Sequence, residues 1–155
     1  MGVWALFLGF AFLQVGHGLQ RILLPIRAES EGFGATAMGL VMASHFAGYL
    51  VGAKGIMRAL SSVGHVRTFA ALASLASTAV LVNAVVVMPL SWAAVYFISG
   101  FCSAGIFVVL ESWLNDRATN ENRGRILSMY MVIMMGGTAV GQLLINVGAP
   151  TGFEL

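Results

Sequence analysis

The chain is 155 residues long, 59% apolar and 9% charged, with a formal net charge of +2. Soluble domains carry about 25% charged residues and, at this size, bury only about 70% of the surface they expose unfolded, so a water-soluble globule is excluded. The small basic excess sits in connecting segments with no aromatic-interleaved basic patch, which excludes a nucleic-acid partner, and a lone Cys102 excludes an internal disulfide or a zinc site of Cys/His spacing.

A bilayer core is crossed by about 20 mostly apolar residues. Five such runs occur in order, over residues 3–26, 37–60, 68–88, 90–113 and 126–147, and predict an all-α polytopic bundle forming a single transmembrane domain. The first run has no Lys or Arg before Arg21 and no small-residue cleavage site, so it is expected to stay in the mature protein rather than to leave as a signal peptide. Within it His17, Gln20 and Arg21 fall three or four residues apart and share one helix face. Ionisable groups inside a span are functional candidates by default. Arg21 has two readings, a stem that snorkels to the headgroups or a cation facing a cavity that holds an anionic or polar solute.

The second run places Ser44, Gly48 and Gly52 at four-residue spacing, the small-residue code by which helices approach closely in lipid. His45 lies as far into this run as His17 lies from the end of the first, so both are expected roughly 12 Å below the outer surface. That match is open to three readings: a shared polar pocket, axial ligation of a haem, or interhelical hydrogen bonds. No cofactor is expected. The third run carries Asn83, read as a mid-membrane hydrogen-bond partner, and a tight turn at Met88-Pro89 makes the third and fourth helices an antiparallel pair.

The fourth run holds Gly100 and Ala104 at the same small-residue spacing, with Glu111 near its inner end. Glu111 is read either as an interfacial carboxylate paired with Arg117 or Arg125, or as a carboxylate that carries a proton or gates. Next comes ESWLNDRATNENRGRILSMYM, where Glu111, Asp116, Arg117, Glu121, Arg123 and Arg125 concentrate the charge of the chain. The fifth run carries Gly137 and Gly141, and Gln142 as a further hydrogen-bonding side chain, with Arg123 and Arg125 anchoring its start at the headgroups.

Lys54, Arg58, Arg67, Arg117, Arg123 and Arg125 would all be cytoplasmic if the N-terminus is inside, against Arg21 and Arg27 outside. The positive-inside rule therefore orients the N-terminus to the cytoplasm and the tail at 148–155 outward. The chain stops just after a fifth span and reads as an incomplete frame. Enzyme signatures are absent: there is no G-x-S-x-G, no HExxH and no Walker loop, and Ser99 and Ser103 lack a His/Asp set.

The order of these features resembles the N-terminal half of a major facilitator superfamily permease, of a poorly characterised bacterial branch. The resemblance spans essentially the whole chain. GHGLQRILLPIRA is similar to the family's polar-centred first helix ending in a proline. Val63-Gly64-His65-Val66-Arg67 matches the tail of the loop pattern G-x-x-x-D-R-x-G-R-R, Gly100 and Ala104 the fourth-helix frame, and Asp116 followed by Arg123-Gly124-Arg125 the charged loop after it. The departures are Met57, Ser61 and Ser62 where the loop pattern has glycine, aspartate and arginine, and Tyr96 where the fourth helix has an arginine implicated in proton coupling. Without the loop aspartate and the fourth-helix arginine, proton coupling of the family's usual kind is not implied by the resemblance.

The resemblance implies secondary transport of a small solute by alternating access, in the bacterial inner membrane, with a coupling proton as an optional second cargo. It makes His17, Gln20, Arg21 and His45 candidates for solute contact. Gly64, Arg67, Glu111, Asp116, Arg117, Arg123, Gly124 and Arg125 become candidates for a cytoplasmic gating network. Family members have twelve helices, so the chain is expected to need the missing C-terminal helices of the same transporter and to be inactive alone. The rival readings are a small membrane protein acting by helix association and, behind it, a bis-histidine haem subunit.

Overall fold

The computed structural model describes residues 2–147; the tail expected to face outward lies outside them. The elements in order are α1 (Gly2–Ser30), α2 (Ala35–Val63), α3 (His65–Val85), α4 (Pro89–Arg117) and α5 (Arg123–Leu143), closed by a 3₁₀ turn at Leu144–Asn146. All five helices are long and apolar enough to cross a bilayer, and no strand occurs among the described residues. The all-α bundle read from hydropathy is therefore the observed fold class.

The helix ends follow from local chemistry and correct several sequence expectations. Pro25 does not end α1, which continues to Ser30. Proline removes one backbone hydrogen bond, but spans tolerate this because neighbouring groups satisfy the freed carbonyl. The exit is made by Gly32 at φ +74, after Ser30 Oγ donates to the Arg27 carbonyl at 2.8 Å and Arg27 pairs with Glu31 at 3.8 Å.

A single residue, Gly64, separates α2 from α3. Its φ of +88 lies in the region that L side chains avoid, and Thr68 Oγ1 donates to its carbonyl at 2.8 Å. The third helix ends at Val85, so Asn83 stands in its last turn rather than mid-membrane. Pro89 forces this early stop: the residue before a proline leaves the helical region, while proline itself suits the first helical position. Trp92, 0% exposed, seals the turn by donating its Nε1–H to the Val86 carbonyl at 2.8 Å, and Phe33 packs against its ring at 4.9 Å. The charged connection is also shorter than its composition suggests. Glu111, Asp116 and Arg117 belong to α4, and only residues 118–122 are non-helical before α5.

The chain divides into two compact units, one built from α1 and α5 and the other from α2, α3 and α4. In the second unit α3 buries Thr68, Leu72, Ala76, Ala79 and Asn83, a stripe at helical period, and α2 buries Val41, Gly48, Gly52, Ile56 and Leu60. Helix α4 is buried round most of its circumference. Gly105 is the point where its neighbours converge: a Cβ there would come within 2.7 Å of Leu72 Cδ1 and 3.1 Å of Ile56 Cγ1.

Candidate functional site

Lipid offers no hydrophobic drive for helices to associate, so close backbone approach and its dispersion contacts must supply it. The second unit does this between α2 and α4, which run parallel. A Cβ on Gly48 would collide with the Phe97 carbonyl, a Cβ on Gly52 would fall 2.5 Å from the Phe101 carbonyl, and a Cβ on Gly100 would collide with the His45 carbonyl. Ala104, one turn on from Gly100, is 1% exposed, and Ser44 Oγ donates back to the Val41 carbonyl at 2.6 Å.

The first unit has its own seam between α1 and α5. A Cβ on Gly18 would collide with the Thr138 carbonyl and one on Gly141 with the Val15 carbonyl, while at Gly137 the Gln14 Cβ lies 2.8 Å away. Phe10 stacks on Tyr130 at 5.4 Å below this contact.

The two seams share one register. Gly18 meets the carbonyl of the residue three before Gly141, and Gly100 meets the carbonyl of the residue three before Gly48. Reciprocally, Gly141 meets the carbonyl three before Gly18, and Gly48 the carbonyl three before Gly100. Helix α1 thus corresponds to α4 and α5 to α2. Polar side chains fall at matching places: Gln14 matches Tyr96, and Thr138 matches His45. In the first seam Gln14 Nε2 donates to Thr138 Oγ1 and to the Met134 carbonyl, both at 3.4 Å. In the second the His45 and Tyr96 rings lie 5.7 Å apart, tilted by 57°.

The remaining sequence candidates are placed as follows. His17 and Gln20 are half-buried on α1 and Arg21 is exposed; His45 is half-buried on α2. At the α2–α3 corner, Gly64 delivers His65 so that its Nε2 lies 3.1 Å from Ser112 Oγ and 3.6 Å from Asp116 Oδ2, clasping the start of α3 to the last turns of α4. Glu111, Arg67, Arg117, Arg123, Gly124 and Arg125 are exposed, and among the described residues Arg67, Arg123 and Arg125 make no ion pair. Gln142 is exposed as well. Asn83 is buried at 6% exposure, with no hydrogen-bond partner on either amide atom. Sequence reasoning missed Gln14, Gly18, Gly105 and Thr138. Gly18 has no small residue four positions away to flag it, and Gln14 and Thr138 gain their meaning only from facing each other.

The sequence profile described as Major Facilitator Superfamily matches residues 6–152 of the chain. The chain belongs to the major facilitator superfamily. Among curated superfamily relatives, the uncharacterized MFS-type transporter YcaD of Salmonella newport (strain SL254) is 34% identical over 145 residues, covering 93% of this chain. The same-named protein of Salmonella typhi gives the same figures, and that of Salmonella arizonae is 34% identical over 139 residues and 89% of the chain. The chain spans 38% of the length of the first two relatives and 36% of the third. No solved structure matches it. Tyr96 packs against His45, and His65 engages Asp116.

Proposed function

We propose that the chain is the N-terminal portion of a secondary transporter that moves a small solute across the bacterial inner membrane by alternating access. The observation that carries this reading is the shared register of the two glycine seams. Successive spans alternate in direction, so α1 and α4 cross the bilayer in opposite senses, and the repeated seam is then an inverted repeat. Such repeats are the construction from which alternating-access transporters are built. The N-terminus is cytoplasmic on the Lys and Arg distribution, which puts the His65–Asp116 clasp and the arginines at the start of α5 on the inner face.

On this reading His17, Gln20 and Arg21 of α1, and His45 of α2, are the groups that contact solute. Gly64, Arg67, Glu111, Asp116, Arg117, Arg123, Gly124 and Arg125 form the inner gating set, whose partners include the C-terminal helices of the full-length protein. The test is uptake into proteoliposomes across a panel of small organic solutes. The full-length protein is expected to give saturable, gradient-dependent accumulation of at least one solute class, and residues 1–155 alone none. Saturable uptake by the 155-residue chain would refute the claim that it works only as part of a larger transporter.

A further inference from the structure

The two seams are alike in register and unlike in chemistry. Gln14 and Thr138 make a neutral couple that neither gains nor loses a proton near pH 7. At the same two places the α2–α4 seam carries Tyr96 and His45, and imidazole is the side chain whose charge changes in the physiological range. We infer that the His45–Tyr96 couple is a proton-binding site inside the α2–α4 seam, with Gln14–Thr138 as its non-titrating counterpart.

The setting makes the couple more than two neighbours. A charge within an apolar span is expensive unless something offsets it. The Tyr96 ring lies 5.7 Å from the imidazole and a second ring, Phe46, lies 5.9 Å away, both within the range over which an aromatic quadrupole attracts a cation. Tyr96, 6% exposed, is the buried side of the couple, while Phe46 lies open at 68% and His45 is half-buried between them. Gly100 fixes the geometry, because the His45 carbonyl rests where its Cβ would be, and the imidazole cannot slide along α4 without opening the seam. The titratable group facing His45 from α4 is Tyr96, and Tyr49 lies one turn along its own helix. The step is a simple one: a neutral imidazole nitrogen accepts one proton and the site gains one positive charge. That this proton drives solute movement rests on the transporter reading; the site itself does not.

The experiment is solid-state NMR of the full-length protein in lipid, labelled with ¹⁵N-histidine and titrated from pH 5 to 8. The His45 signal, identified by its loss in His45→Gln, is expected to titrate and to persist in Tyr96→Phe. Tyr96→Leu is expected to weaken proton binding about three- to tenfold, the loss of a partly desolvated cation–π contact. Gln14→Leu, at the equivalent place in the other seam, should leave the titration unchanged and controls for general loosening of the helices. A His45 signal that stays in one protonation state throughout, or an unchanged midpoint in Tyr96→Leu, overturns the site whether or not the protein transports. A titrating His45 in a protein that accumulates no solute supports the site and removes only the transporter reading.

Discussion

Replacing Gly48 by alanine adds one methyl group, and its effect follows from what that methyl meets. The added carbon would collide with the Phe97 carbonyl oxygen and lie 2.7 Å from the carbonyl carbon and 3.0 Å from the Cα of the same residue. These are backbone atoms of a neighbouring helix, so no side chain can turn aside and the seam itself must open. Overpacking of this kind costs about 1–3 kcal/mol. Gly39, on the same helix, has nothing within 4 Å of the place a methyl would take, so Gly39→Ala gains the helix preference of alanine, about 0.5–1 kcal/mol. Gly48→Ala gains the same preference, so the two alanine variants should differ by the overpacking cost, about 1–3 kcal/mol. Equilibrium unfolding of the protein in mixed micelles, followed by tryptophan fluorescence, measures both. Gly100→Ala strains the same contact from the other side, so the double variant should lose less than the sum of the singles. Equal stabilities for Gly48→Ala and Gly39→Ala would show that the seam is not closely packed and would refute the reasoning from the Phe97 contact.

Trp92→Phe removes the 2.8 Å donor to the Val86 carbonyl and leaves space at a fully buried position, and thermal unfolding should show a loss of about 1–3 kcal/mol. Gln14→Leu should be mild, about 0.6 kcal/mol in the same assay, because its contacts are 3.4 Å long and Thr138 already donates to the Met134 carbonyl at 2.8 Å; a loss several times larger would contradict that account. His65 clasps the last turns of α4 through its 3.1 Å contact with Ser112 and its 3.6 Å contact with Asp116. Asp116 is 62% exposed, which limits its coupling to His65 to under about 1 kcal/mol, read by a His65→Ala and Asp116→Asn double-mutant cycle; a coupling several times larger would count against this account.

The five spans were legible because about 20 apolar residues between charged connections have one economical explanation in lipid. The faces bearing Gly48 and Gly52, or Gly137 and Gly141, could be seen from spacing alone, since spacing belongs to a single helix. Which helix meets each face could not be seen, because pairing belongs to two helices and leaves no local mark. Gly18 illustrates the gap: no small residue lies four positions away to flag it, yet the Thr138 carbonyl occupies the place of its side chain. Gln14 passed unnoticed as one amide in an apolar run, and its meaning came only from its position opposite Thr138. At helix ends, hydropathy misjudged α1 and α3 for opposite reasons. Pro25 looks like a stop but is absorbed within a span, whereas Val86 and Val87 look like span but yield to the proline that follows.

The α1–α5 seam also bears on how the protein is made. Its hydrogen bond from Gln14 to Met134 joins residues 120 positions apart in sequence. Chains emerge at about 5–20 residues per second, so α1 waits on the order of 6–24 s after synthesis before α5 exists to meet it. The α2–α4 seam spans a much shorter stretch and can close during that interval. Until α5 arrives, the groove around Gly18 must be covered by lipid or by the insertion machinery, and Gln14 must find a temporary partner there. Helix α1 thus meets its α5 partner only after the α2–α4 seam has had time to close, and variants in the α1–α5 seam should show their defects as degradation during biogenesis before they show them as instability of the folded protein.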